Sequence, residues 1–211
     1  MSGTTGIRVG LFSLILVALG ACGGGSSGGD TAGKSSSADG PTTTQFTQMF
    51  SSDFEPACRS NPVEGATPYD TAKPGIHRVV TMTGADTDEL TEGFLDIPSE
   101  WTITFDVATD QYATAELVLC VIRANATLAQ ECTGYESDGV VTDNVVNLYS
   151  ADYAVAVHEA TTGKQLGATT VTATATECPL YVTFTDGEKT TDWYEQNVGA
   201  ITDFARTFVE T

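Results

Sequence analysis

The residues of this 211-residue chain whose types could do chemistry are five cysteines, two histidines and one dense run of carboxylates. A cysteine acts as nucleophile or metal ligand through its thiolate, so it must first be reduced. Cys58, Cys120, Cys132 and Cys178 include no Cys-x-x-Cys pair, and neither histidine lies near any of them in sequence, which argues against zinc. An even set of this kind outside the cytosol reads as two disulfides, with three connectivities open. Of these we expect Cys120–Cys132, stapling a hairpin across a loop at 123–131, and Cys58–Cys178, tying the N-terminal loop to the last strand region. His77 follows Pro74-Gly75 at a strand start, and His158 shares a strand face with Ala154 and Ala156. Both read as structural or exposed rather than catalytic. No Gly-x-Ser-x-Gly elbow between a strand and a helix marks a serine nucleophile. No phosphate loop or dinucleotide fingerprint is present. Asp86, Asp88, Glu89, Glu92, Asp96 and Glu100 could together suit a hard cation such as calcium. Their spacing is not that of an Asp-x-Asp-x-Asp-Gly loop, so they read as a solvated acidic stretch. Asp186-Gly187-Glu188 reads as a turn. We therefore expect no catalytic residues, no metal and no cofactor.

The fifth cysteine, Cys22, closes a different pattern. Arg8 is the only charge before it, and Val9–Leu19 is an apolar run shorter than the ~20 residues a spanning helix needs. The run ends in Leu19-Gly20-Ala21-Cys22, an aliphatic residue, two small residues and cysteine. This segment resembles a bacterial lipoprotein signal. The resemblance implies removal of residues 1–21 and attachment of diacylglycerol to the Cys22 thiol. Two or more acyl chains, at about 0.8 kcal/mol per buried CH₂, hold a protein stably on a membrane. The implied address is the extracytoplasmic side of a bacterial membrane, where Asn125-Ala126-Thr127 would stay unglycosylated.

Charge limits the partners. Taking Arg8 away from a net charge of −19 leaves −20 on the processed chain. Such a balance opposes nucleic acid and bare anionic lipid. It favours solubility, cations and partners with basic faces. Residues 23–44, GGGSSGGDTAGKSSSADGPTTT, read as a flexible tether spanning about 25 Å root-mean-square. A single domain is expected over residues 45–211, long enough to bury roughly 70% of its unfolded surface.

The elements that would position these residues follow from periodicity. Phe46, Met49, Phe50 and Phe54 suggest a short helix over 44–54. A Pro- and Gly-rich loop then runs to Gly75. Strands are expected at 76–83, at 101–107, where Trp101, Ile103, Phe105 and Val107 share a face, and at 115–123, apolar on both faces. A return strand at 131–135 and further strands at 145–149, 153–159, 165–176 and 180–185 complete the set, with a hairpin turn at Thr161–Lys164. A final helix, capped by Asp192 with Glu195 three residues on, carries the apolar stripe Tyr194, Val198, Ile201, Ala205 and Phe208. The expected fold is mainly β, an antiparallel sheet or sandwich with a C-terminal helix packed on it.

Tyr69, Pro74-Gly75-Ile76-His77, Leu117-Val118-Leu119-Cys120, Cys132 with Tyr135, Thr162-Gly163 and Cys178-Pro179 occur in that order. Over residues 58–209 this arrangement resembles an uncharacterised family of secreted bacterial domains. The resemblance implies one domain and paired cysteines, and no activity. The sequence thus points to a lipid-anchored, non-enzymatic binding or accessory protein of the cell envelope. Its expected partners are the membrane, through Cys22, and an envelope protein. Two other readings remain open: an envelope hydrolase using carboxylates or His77, and a structural or salt-adaptive surface protein.

Overall fold

The computed structural model describes residues 48–93, 95–106 and 109–211. The signal segment, Cys22 and the tether lie outside the described residues, as do 44–47 of the expected first helix. Among the described residues no helix is long and apolar enough to cross a membrane.

The fold is mainly β, with one mixed sheet of six strands and a helix on it. Strands β1 (Val79–Gly84), β2 (Thr91–Glu92), β3 (Leu117–Cys132), β6 (Val145–Glu159) and β7 (Gln165–Ala173) lie in the order β2-β1-β3-β6-β7. Strand β8 (Thr190–Tyr194) pairs with the first part of β6. A small hairpin of β4 (Glu136–Ser137) and β5 (Val140–Val141) stands apart. The sheet is not the antiparallel one expected, because β1 runs parallel to β3 and β8 parallel to β6. A parallel neighbour needs a long crossover, and residues 85–116 and 160–189 supply it.

Two long strands replace four short ones. Segments 115–123 and 131–135, expected as a hairpin, form the single strand β3, and 145–149 and 153–159 merge into β6. The polar run Arg123-Ala124-Asn125-Ala126-Thr127 looks like a loop in sequence. It stays extended because β6 pairs with it through two register shifts.

Both faces of the sheet are covered. On one face Leu117, Leu119, Val121, Val155 and Val157 pack with Trp101 and with helix α2 (Val198–Val209), which inserts Ile201, Ala205 and Val209. On the other, Val80, Met82, Val118 and Cys120 meet Phe54, Ala57 and Tyr112. Phe54 ends a 3₁₀ turn (Ser51–Phe54) and Ala57 sits in a one-turn helix α1 (Glu55–Cys58), in place of the longer helix expected there.

Three further expectations change. Residues 101–106 are not a strand, and Val107 of that expectation lies outside the described residues. Trp101 fills one core layer and Ile103 the other, so the chain crosses over the sheet edge. Wrapping an edge yields the same alternation of apolar residues as a pleated strand. Residues 180–185 are not the last strand but part of an exposed arm, and Thr190–Tyr194 pairs instead. Asp192 and Tyr194 therefore belong to β8. The cap of α2 is Asn197, whose side chain accepts a bond from the Ala200 amide at 3.1 Å.

Candidate functional site

The four cysteines are all bonded, but not as expected. The disulfides are Cys58–Cys120, with Cα atoms 5.7 Å apart, and Cys132–Cys178, at 5.8 Å. Cys120 and Cys132 cannot meet. They lie on one strand twelve residues apart, about 40 Å at ~3.3 Å per residue. Cys58–Cys120 pins α1 to the middle of the sheet, and Cys132–Cys178 ties the far end of β3 to the arm. No thiol remains free for catalysis at these positions.

His77 is buried at 1% exposure. Its Nδ1 meets the Glu116 carboxylate, and its Nε2 lies 2.8 Å from Thr211 Oγ1. The ring of Tyr69 stands edge-on to it at 4.7 Å, and burial together with the Glu116 charge raises the Tyr69 phenol above its ordinary pKa. Lys73 Nζ lies 3.9 Å from Glu116. Two strand-like bonds between Gly75 and Thr211, at 2.8 and 3.2 Å, and one from His77 N to Val209 O, at 2.9 Å, fix the chain end here. A hydroxyl, an imidazole and a carboxylate are thus in series.

His158, also buried, donates from Nδ1 to the Gly163 carbonyl at 3.1 Å, closing the β6–β7 hairpin. Gly163 has φ +67°, and a Cβ there would lie 2.4 Å from the Asn61 carbonyl oxygen, so the turn requires glycine.

The acidic stretch does not converge. Among the described residues no three His, Cys, Asp or Glu side chains form a group able to hold a metal ion. Asp86 Oδ1 accepts the amides of Asp88 at 2.8 Å and Glu89 at 3.1 Å, a local turn. Glu92 points elsewhere. Both its oxygens lie 2.8 Å from the Tyr112 hydroxyl, which donates to them. Burial first, and then the bond to Glu92 and its charge, pushes the Tyr112 phenol up to about 12.

Glu92 leads to a cavity beside β1. The outer edge of β1 is closed at two points: Gly93 N donates to Thr81 O at 2.8 Å, and Val79 N to Trp101 O at 2.9 Å. Between them, residues 95–100 form an arch off the strand edge. Gly93 permits the first contact, since a Cβ there would sit 2.2 Å from Thr83 Cγ2. Beneath the arch is a cavity of about 640 Å³, within the usual range for small-molecule sites. Val79, Leu95, Ile97, Ile103 and Phe105 make it largely apolar; Glu92 and Asp96 are its carboxylates; Lys and Arg are absent from its lining. Thr81 also lines it. Its hydroxyl is the only buried side-chain polar atom among the described residues without a hydrogen-bond partner. Leaving such a group unpaired costs about 1–3 kcal/mol.

A larger space of about 910 Å³ lies between β4 and the arm, walled by Leu180 and Tyr181, which are themselves exposed.

No family model, curated protein or solved structure matches the chain.

Sequence reading placed Glu92 and Asp96 in the acidic stretch but not with Thr81 and Tyr112. It missed Glu116, although a lone carboxylate directly before Leu117-Val118-Leu119 was a visible signal of a buried charge awaiting a partner.

Proposed function

We propose that the protein is a lipid-anchored, extracytoplasmic binding protein of a bacterial cell envelope. In this reading it is held by diacylglycerol on Cys22 and takes a small ligand under the arch at residues 95–100. The observation that carries the binding role is the cavity itself, apolar but furnished with an unpaired hydroxyl and two carboxylates. The lipoprotein-like signal and the two closed disulfides support the address. Such a protein could also serve an envelope partner as its ligand-carrying accessory subunit. Replacing Cys22 by Ser should release the protein from the membrane fraction; a variant that stays membrane-bound overturns the anchor. A screen of small molecules by chemical shift should perturb Phe105 and Tyr112. Shifts confined to other regions would refute the site.

A second reading is supported by one observation, the series Thr211 Oγ1–His77–Glu116. A carboxylate that orients an imidazole beside a hydroxyl is the arrangement of an acyl-transfer site. In an envelope hydrolase His77 Nε2 would take the Thr211 proton as the hydroxyl attacks an acyl carbon, and would return it to the departing alcohol as the ester bond breaks. Against this, His77 is buried and lines neither of the cavities above. Turnover of an activated ester that disappears in both His77→Ala and Thr211→Val would establish it, and turnover unchanged by either would end it.

A further inference from the structure

We propose that the arch cavity selects an organic cation: an apolar body of modest size carrying an ammonium or amidinium group. The inference rests on the binding role proposed above and specifies its ligand.

Three features of the lining point the same way. First, its charges are of one sign. Glu92 and Asp96 lie at the cavity with no Lys or Arg among the residues around it. Nearby carboxylates favour a positive group and repel a carboxylate or phosphate, and the low-dielectric wall strengthens both effects. Second, its carboxylates keep acceptor capacity to spare. The Tyr112 hydroxyl already donates to Glu92, leaving the carboxylate with further lone pairs and no protons to give. A multi-donor cation fills that need. Third, the walls formed by Val79, Leu95, Ile97, Ile103 and Phe105 ask for apolar surface rather than a hydrated inorganic ion. Thr81 lines the cavity too, and its hydroxyl is buried behind the wall without a partner, where a seated ligand would reach it only after rotation of the side chain.

An ordinary acidic surface would also attract cations, so the test must separate the cavity from the general charge. Three probes with one phenylethyl body are used: 2-phenylethylammonium, 2-phenylethanol and 3-phenylpropanoate. Each is titrated into the full-length protein at physiological ionic strength and followed by chemical shift. The ammonium should bind with shifts centred on Phe105 and Tyr112. Asp96 is exposed, so Asp96→Asn keeps the fold, and it should weaken the ammonium about five- to tenfold, the loss of one partly solvated charge pair. Asp88→Asn removes the same charge from the exposed loop outside the cavity and should change affinity less than twofold. If the alcohol binds as tightly as the ammonium, or if the two variants weaken it equally, charge selection is overturned while the cavity remains a binding site. If none of the probes shifts Phe105 or Tyr112, the binding role fails with it.

Discussion

Removing the two disulfides one at a time should have unequal consequences, although chain entropy alone predicts nearly equal ones. The bonds join residues 62 and 46 apart. Loop-closure entropy assigns about 4.3 and 4.0 kcal/mol to such crosslinks. What differs is what each bond holds. Cys120 is buried in the first third of the central strand β3, beside Met82 on β1 and Ala156 on β6. Its partner Cys58 holds Phe54 and Ala57 against that face. Deleting this bond with Cys58→Ala and Cys120→Ala opens a core site, adding about 1–2 kcal/mol of cavity cost. The sum, about 5–6 kcal/mol, is comparable to the whole stability of many domains, so Tm should fall by roughly 10–20 °C or the domain should fail to accumulate. Cys132, equally buried, instead secures an arm, residues 174–189, which packs Val182 and Phe184 against Val146 and Leu148 in a smaller cluster apart from the two main core layers. That cluster can open without disturbing those layers, so Cys132→Ala with Cys178→Ala should lower Tm by only about 3–8 °C. The assay is calorimetry of both double variants without reductant. Stepwise reduction with alkylation and peptide mapping gives a second readout, in which Cys178, being exposed, should be alkylated first. Recovery of a peptide joining Cys120 to Cys132 would refute the pairing, and a smaller Tm loss for the Cys58/Cys120 variant would refute the ranking.

Other outcomes follow from single residues. The folded Tyr112 phenol holds its proton more tightly than the unfolded one, so its contribution is complete below pH 10 and disappears as pH rises through about 12. With part of its bonding at the cavity rim, that contribution should be about 1–2 kcal/mol. Tyr112→Phe should flatten the alkaline limb of a stability–pH profile, and an unchanged limb would count against the assignment. Thr81→Val removes an unpaired hydroxyl and should raise stability by about 1 kcal/mol in urea unfolding, whereas a loss would mean that the hydroxyl has a partner. Ile201→Ala removes a fully buried contact of α2 with the sheet and should cost about 3–4 kcal/mol, read by the same unfolding curves. Gly163→Ala should destabilise the β6–β7 hairpin by more than 1 kcal/mol, because both φ and the Asn61 backbone oppose a side chain. A neutral result there would show that the turn can move.

Composition and local pattern carried the class of fold. The strands expected at 76–83, 145–149 and 153–159 were legible from local pattern, and 115–123 from an unbroken apolar run, though the merging of 145–149 and 153–159 into one strand was not. Of the expected stripe, Val198, Ile201, Ala205 and Phe208 likewise needed only the 3.6-residue turn. The hairpin turn at Thr161–Lys164 and the pairing of all four cysteines, though not its connectivity, were local or compositional matters. The lipoprotein-like segment at Leu19–Cys22 is a linear motif and owes nothing to tertiary contacts.

Strand continuation, strand direction and side-chain convergence are set by partners distant in sequence. Arg123–Thr127 is strand only because β6 pairs with it, and that pairing alone puts Cys120 and Cys132 out of each other's reach. Trp101 and Ile103 alternate because the chain rounds an edge, which a one-dimensional pattern does not distinguish from a pleat. The closest clusters span long separations: His77 meets Glu116 and Thr211, and Glu92 meets Tyr112 across the arch. By itself, then, the sequence determined a mainly β domain with a terminal helix, four cysteines able to pair and an acidic balance. Strand order, disulfide partners and the cavity beside Thr81 were decided only by tertiary structure, because each depends on contacts whose energy exists only once remote segments are packed together.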